Sequence, residues 1–415
     1  MTTELLVEPL RSVRHQFPAL SRNGPLGKPI IYADAPGGTQ VPDRVIDGIR
    51  DYLVTSNANI EGEFAATRET DELIGRARNL AGTFVGGDPA GIAFGHNMTT
   101  LNFSLSRAVG RTLHPGDEIV VTQLDHDANV APWLLLAQDL DLVVRTAQVT
   151  TNLDIDLHHL GSMMGPRTRV VAATLASNAV GTTPHGRLIA DMAHAHGALA
   201  WFDAVAYAPH RRIDVRALGC DVLLCSPYKF FGPHLGLAWI RPDLATSLPA
   251  DRVRPAGEVP AGHRFETGTL SHEAIAGFCA AVEYLALLGT GPNLGSQLDD
   301  AYARIVAHES QLASRFIAGL GSVDGVTLLG PGDPGSRVCT FGLLPAKADP
   351  GTVARELDRR GIYAWNGSFY AQGVMEALGL PVETGILRLG FVHYATHEEI
   401  DRSIAELSDI LRDTE

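Results

Sequence analysis

Lys229 stands in the run Cys225-Ser226-Pro227-Tyr228-Lys229-Phe230-Phe231-Gly232, and it is one of three lysines in the chain, with Lys28 and Lys347. The other cations are arginines. Lysine can lose its proton and attack a carbonyl, and a guanidinium cannot. A lone lysine between an apolar strand-like run and an aromatic, glycine-rich turn is therefore a candidate Schiff-base lysine. A surface lysine following a strand is the competing account. Asp203 closes the apolar run Ala198-Leu199-Ala200-Trp201-Phe202. A carboxylate at the end of a buried strand is costly without a partner, and strand ends are where α/β sheets bind ligands. An aspartate to pair with a pyridine nitrogen, and a lysine about one βαβ step later, are what pyridoxal 5′-phosphate requires. Helix capping is the alternative for Asp203.

Four further groups have types suited to that chemistry. Gly95-His96-Asn97-Met98-Thr99-Thr100 precedes an expected helix, whose first N–H groups and hydroxyls can cradle a phosphate; plain capping explains the turn equally well. Asp125-His126-Asp127-Ala128-Asn129 offers a histidine able to stack on a flat cofactor and relay protons. Ser177-Asn178 offers an amide. Arg388 is a lone cation in an apolar strand, so it needs an anion, either a substrate carboxylate or an internal carboxylate.

These residues need a scaffold. Apolar runs at 118–122, 142–145, 169–174, 198–202, 221–225 and 235–240 read as strands covered on both faces, and helical stretches such as 188–196 lie between them. The alternation predicts an α/β domain with a mostly parallel sheet. Towards the C-terminus, strand candidates at 338–343 and 385–392 precede a capping box, Thr396-His397-Glu398-Glu399, which opens an amphipathic helix carrying Ile400, Ile404, Leu407 and Leu411. That part reads as a smaller α+β domain. The expected division places residues 30–285 in the large domain, and 1–29 with 286–415 in the small one. Residues 252–263, rich in proline and glycine, read as an ordered loop.

Composition narrows the classes. Hydrophobic content of 45% and charged content of 19% are those of an ordinary globular chain. A net charge of −14 disfavours nucleic acid and anionic membrane surfaces as partners. No apolar run reaches the roughly 18 residues of a membrane span. Residues 1–8 lack a signal peptide's basic start and apolar run. The scattered cysteines Cys220, Cys225, Cys279 and Cys339 point to no disulfide framework or zinc site, and a cytoplasmic location is expected. No metal is expected, since His194-Ala195-His196 has no carboxylate at ligand spacing. No G-x-S-x-G is present to mark a serine hydrolase.

Taken in order, Asp125 to Trp133, Ala176 to Gly181, Phe202-Asp203-Ala204, Ser226 to Gly236, Arg264-Phe265-Glu266-Thr267-Gly268-Thr269 and Arg388 resemble the class V aminotransferases, in their cysteine-desulfurase-like branch. The resemblance spans roughly residues 15–412. It implies a fold type I pyridoxal-phosphate enzyme with a seven-stranded, mostly parallel sheet. Lys229 then matches the Schiff-base lysine, Asp203 the pyridinium partner and His126 the stacking histidine. Asn178 matches a residue near the ring hydroxyl or the substrate carboxylate. Asn97, Met98 through its backbone, Ser226 and Tyr228 match the phosphate cup. Thr269 matches a residue reaching the neighbouring subunit's site, which implies a homodimer. Arg388 matches the carboxylate clamp, and the loop Ala35-Pro36-Gly37-Gly38-Thr39-Gln40 matches the segment over the substrate, with Gly37 at its centre.

Two departures bear on activity. The stretch Trp365-Asn366-Gly367-Ser368-Phe369-Tyr370, where the desulfurases carry a nucleophilic cysteine, has none. Ala206 replaces a glutamine or histidine near the ring hydroxyl. The expectation is a C–S lyase acting by β-elimination on cysteine or an S-substituted cysteine, and not a true desulfurase. Such a role fits specialised metabolism, including antibiotic pathways that tailor a sulfur appendage. Transamination, decarboxylation or oxidative deamination of an S-cysteine conjugate, and a non-catalytic pyridoxal-phosphate-binding protein remain open.

Overall fold

The computed structural model describes residue 10 and residues 12–413. Residues 1–8, considered above for a leader, lie outside the described residues. In chain order the strands are β1 (Ile31–Tyr32), β2 (Ile92–Gly95), β3 (Glu118–Thr122), β4 (Val143–Ala147), β5 (Thr168–Thr174), β6 (Leu199–Asp203), β7 (Val222–Cys225), β8 (Gly236–Ile240), β9 (Val326–Leu329), β10 (Thr340–Pro345), β11 (Ile362–Tyr363), β12 (Trp365–Gly367) and β13 (Ile386–Gly390).

Seven of them form one sheet in the order β2-β8-β7-β6-β5-β3-β4. The pairings β3/β4, β3/β5, β5/β6 and β6/β7 are parallel, and β8 runs antiparallel to both β7 and β2. The alternation of side chains along a strand explains the continuous apolar runs. Ala200, Phe202, Leu223 and Cys225 point into one core, and Trp201, Val222, Leu224 and Ala238 into the other. Both faces are covered by helices, so polar positions have nowhere to go except the strand ends. Each fully buried Leu or Phe contributes about 1.5–3 kcal/mol.

The parallel register sets the site. Thr174 pairs with Asp203, and Asp203 with Leu224, so the C-terminal ends of β5, β6 and β7 finish level. The helix Met98–Gly110 packs Leu101, Leu105 and Val109 against the second core, which brings its N-terminus to the same edge.

The smaller sheet is antiparallel, in the order β12-β13-β10-β9. Its core unites Phe341, Leu387 and Leu389 with Phe316 and with Ile400 and Leu407 of the last helix, His397–Asp413. The capping box forms as expected: Thr396 N donates to Glu399 Oε2 at 2.9 Å, and Glu399 N to Thr396 Oγ1 at 3.2 Å. The strand expected at 338–343 begins two residues later, at Thr340. Arg337 accounts for the shift: its guanidinium binds the carbonyls of Pro331, Val180 and Thr340 and pins the entry to the strand. Two-residue β1 pairs in parallel with β11, tying the segment after residue 30 to the C-terminal half.

Candidate active site

The level strand ends enclose a cavity of about 610 Å³, and Asn97, Met98, His126, Asn178, Asp203, Ser226, Tyr228 and Lys229 all line it. Eight residues spread over more than 130 positions of sequence thus meet in one hollow. Ala206 lines it too, as do Thr99 and Thr100.

Lys229 ends a short 3-10 turn, Pro227–Lys229, that follows β7. Its Nζ donates to the Pro36 carbonyl, so the 35–40 loop closes over it. Thr39 N donates to Tyr228 O at 3.1 Å and Phe231 N to Thr39 Oγ1 at 2.7 Å, which fixes that loop to the lysine turn. Burial pulls the amine down to about 7, Arg388 adds to the effect, and Asp203 opposes it. Asp203 is buried, and Val205 N donates to its Oδ1 at 2.7 Å. Desolvation pushes its carboxyl up to about 6, against the Val205 hydrogen bond and the charge of Lys229.

His126 Nδ1 accepts from Ala128 N at 3.0 Å, which leaves the neutral ring's proton on Nε2. Burial and the cations Lys229 and Arg388 lower its pKa to about 4. Its loop is held by a buried polar chain that sequence reasoning missed. Asn102 accepts from Trp201 Nε1 at 3.0 Å and donates to Ala128 O at 2.7 Å. Asn129 Nδ2 donates to Asp125 Oδ1 at 2.8 Å, and Thr122 Oγ1 donates to Asp125 Oδ2. The sequence signal was four short polar residues, Asn102, Thr122, Asp125 and Asn129, close to apolar runs.

At the helix start, Met98 N donates to Ser226 Oγ at 3.1 Å. Asn97 Oδ1 accepts from Thr100 N at 2.9 Å, so Asn97 caps the helix while lining the cavity. Gly236 makes this approach possible: a Cβ there would lie 2.5 Å from the Asn97 carbonyl carbon. Tyr228 stacks on His234 with ring centres 4.9 Å apart.

Arg388 lies beside the cavity, on β13. Nη1 donates to Asn178 O at 2.8 Å, and Cζ lies 3.9 Å from the centre of the Phe369 ring. Its Nε is buried without a hydrogen-bond partner among the described residues. Desolvation lowers its pKa to about 9, opposed by Asp34 and Tyr228. Among the described residues no carboxylate comes within ion-pair distance of it. Asn178 Nδ2 donates to Phe369 O at 2.8 Å, and Asn178 Oδ1 is buried without a partner. Gly37 sits under Trp365, where a Cβ would meet the indole nitrogen at 2.6 Å. Thr269 lies elsewhere in its own chain, in a small hollow of about 80 Å³ that shares Thr100 and His234 with the main cavity. All four cysteines are free and buried.

A mostly parallel seven-stranded sheet with a lysine and a buried aspartate at its C-terminal edge, joined to a smaller antiparallel-sheet domain, defines a fold type I pyridoxal-phosphate protein. The chain belongs to the class V aminotransferase family, whose model, "Aminotransferase class-V", matches residues 31–402. The "Probable cysteine desulfurase 1" of Mycobacterium leprae is 32% identical over 94% of this chain, and the chain spans 64% of that protein's length. The "Aminotransferase-like protein FGM3" of Gibberella zeae is 30% identical over 97% of this chain and 98% of its own length. The apo structure of a cysteine desulfurase from Thermococcus onnurineus NA1 superposes with a TM-score of 0.86 over 97% of this chain and 98% of its own, at 23% identity, a likeness of fold.

The family is pyridoxal-phosphate-dependent, and the residues present fit that cofactor. A buried carboxyl meets the need of a ring nitrogen, and an unpartnered amide oxygen at Asn178 awaits a donor. A helix N-terminus closed down by Gly236 supplies N–H groups for a phosphate. A lysine with a lowered pKa supplies the amine. Among the described residues no helix is long and apolar enough to cross a membrane.

Proposed function

We propose that this protein acts on an α-amino acid, and that its reaction is β-elimination from cysteine or an S-substituted cysteine. One observation carries the reading: the lysine, aspartate and histidine line one cavity and the arginine lies beside it, bonded to the lining residue Asn178, while the loop at 365–370 offers no thiol. All four cysteines are buried and their thiol pKa values are pushed up, which disfavours a persulfide route. When bound, pyridoxal phosphate supplies an electron sink for the substrate's α-carbon.

The protein's own groups do the rest. Lys229 would hold the cofactor and, once the substrate's amino group displaces it, its freed amine would be the base for the α-proton; in the cofactor-free protein burial pulls that amine down to about 7. Asp203 would hold a proton at the ring nitrogen. His126, carrying its proton on Nε2, would face the cofactor's ring and could give a hydrogen bond to the departing group. Arg388 would receive the carboxylate through a guanidinium whose Nε has no hydrogen-bond partner among the described residues. Met98 N, Ser226 and Tyr228, with Asn97 at the cap, hold the phosphate. Thr269 completes a partner's cup in a homodimer, and Gly37 covers the substrate. The expected division would give the cofactor-binding unit as residues 30–285 and the smaller unit as 1–29 with 286–415, of which residues 1–9, 11, 414 and 415 lie outside the described residues. Buried free thiols suit a reducing cytoplasm.

The overall change balances with water: an S-substituted cysteine and water give thiol, pyruvate and ammonia. Incubating the cofactor-loaded protein with S-methyl-cysteine should release thiol and pyruvate in equal amounts. Alanine and sulfane sulfur from cysteine would make it a desulfurase, and a keto acid retaining the sulfur substituent would make it a transaminase. Ammonia released with consumption of dioxygen and no thiol would identify oxidative deamination. An unchanged visible spectrum with every amino acid would identify a binding protein without catalysis.

A further inference from the structure

Between β12 and the helix Gln372–Leu378, two consecutive aromatic residues take left-handed backbone: Phe369 at φ +57° and Tyr370 at φ +56°. Bulky side chains avoid this region, so two in a row are strained unless something over-determines them. Two hydrogen bonds do. Asn178 Nδ2 holds Phe369 O at 2.8 Å, and Asp127 N holds Tyr370 O at 2.7 Å. Both donors come from the loops that line the cavity.

The effect is to place one ring, Phe369, half-buried between the main core and Arg388, and the next, Tyr370, where packing does not require it. Phe369 lies on the Arg388 guanidinium, 3.9 Å from Cζ. The Tyr370 ring lies 5.4 Å from that of His126, with 35° between the planes, and Tyr370 stays 68% exposed. An exposed aromatic held in strained backbone gains little from burial in the empty protein. Its apolar surface becomes useful only when a ligand covers it.

We propose that Phe369 and Tyr370 form the side-chain subsite, and that they select α-amino acids whose side chains end in an aromatic or other flat apolar group. The inference rests on Arg388 as the carboxylate anchor, and it names the substrate class of the reaction proposed above. A carboxylate seated on Arg388 places the α-carbon one bond away, so the side chain leaves beside the two rings. A bare thiol or methyl group is too short to cover Tyr370, and a ring two or three bonds beyond Cβ stacks on it.

The test compares S-benzyl-cysteine with S-methyl-cysteine on the cofactor-loaded protein. Affinity is read from the amino-acid-induced change in the cofactor's visible spectrum, and thiol release is read separately. Wild type should bind the benzyl compound at least tenfold more tightly. Tyr370→Phe should keep that ratio, and Tyr370→Ala should bring it below threefold. A wild-type ratio near one, or a ratio unchanged in Tyr370→Ala, overturns the subsite. The spectral ratio needs no C–S cleavage. If it behaves as stated while no thiol appears, the elimination fails and the subsite stands. If both compounds release thiol equally with no spectral preference, the subsite fails and the elimination stands.

Discussion

Freed of cofactor, the Lys229 amine should titrate near pH 7, and the chain's lysine poverty makes this measurable. Its pKa falls from an ordinary 10.5 to about 7. Below pH 7 the neutral fraction is therefore ~3,000-fold that of an ordinary lysine, a difference of about 5 kcal/mol at 1.36 kcal/mol per unit. Burial is the largest cause, the Arg388 cation the second, and Asp203 acts in the opposite sense. The signs give a paired test. Arg388→Gln removes a cation, which should move the midpoint to higher pH. Asp203→Asn removes an anion, which should move it lower. Competitive trace labelling with a small amine reagent, read by isotope-resolved mass spectrometry, follows Lys229 directly, with Lys28 and Lys347 as internal references. Linkage adds a second readout. The unfolded chain keeps its lysine proton up to 10.5 and the folded chain loses it near 7, so this group makes the cofactor-free protein gain stability as pH rises between those values. A wild-type midpoint above pH 9, or shifts of the same sign in both variants, would refute the reasoning.

Asp125 should behave in the opposite direction. Burial, with Asp203 nearby, lifts its pKa from 3.8 to about 8, so its contribution to stability is full below pH 3.8 and is lost as pH rises through 8. Asp125→Asn keeps an acceptor for Asn129 and offers Thr122 a donor in place of an acceptor, and its stability relative to wild type should rise between pH 4 and pH 8 by on the order of 5 kcal/mol at most; a difference in unfolding free energy between the two proteins that is the same at both pH values would sink this. Gly236→Ala forces a Cβ to 2.5 Å from the Asn97 carbonyl carbon. An overpacking cost of about 1–3 kcal/mol should weaken cofactor retention roughly 5- to 150-fold in equilibrium dialysis, and unchanged retention would mean the close approach is unimportant. Borohydride reduction of the loaded protein should leave the pyridoxyl group on Lys229 and be abolished by Lys229→Ala, whereas label on Lys28 or Lys347 would overturn the site.

The sheet and the ends of its strands were legible because periodicity is local. Runs such as Val222-Leu223-Leu224-Cys225 send alternate side chains into two cores, and only a sheet covered on both faces does that with no polar position. The same logic exposed Asp203 and Arg388, charged residues where the pattern permits none. The Thr396 capping box was legible for a similar reason, since its partners lie three residues apart. What depends on chain segments meeting from afar was not legible. Asp125 looks like any loop aspartate until the Trp201–Asn102 link buries its surroundings and pushes its carboxyl up to about 8. Phe369 and Tyr370 carry no periodic signal, and nothing in their types announces positive φ. Their conformation is imposed by Asn178 and Asp127, 191 and 243 positions away in the chain. That distance separates the two kinds of knowledge about this site. The residues expected to bind the cofactor sit at strand ends, where burial marks them. The aromatic pair proposed to meet the substrate's side chain sits on a loop whose shape is set by the opposite wall of the cavity, so that proposal had to be read from the folded geometry.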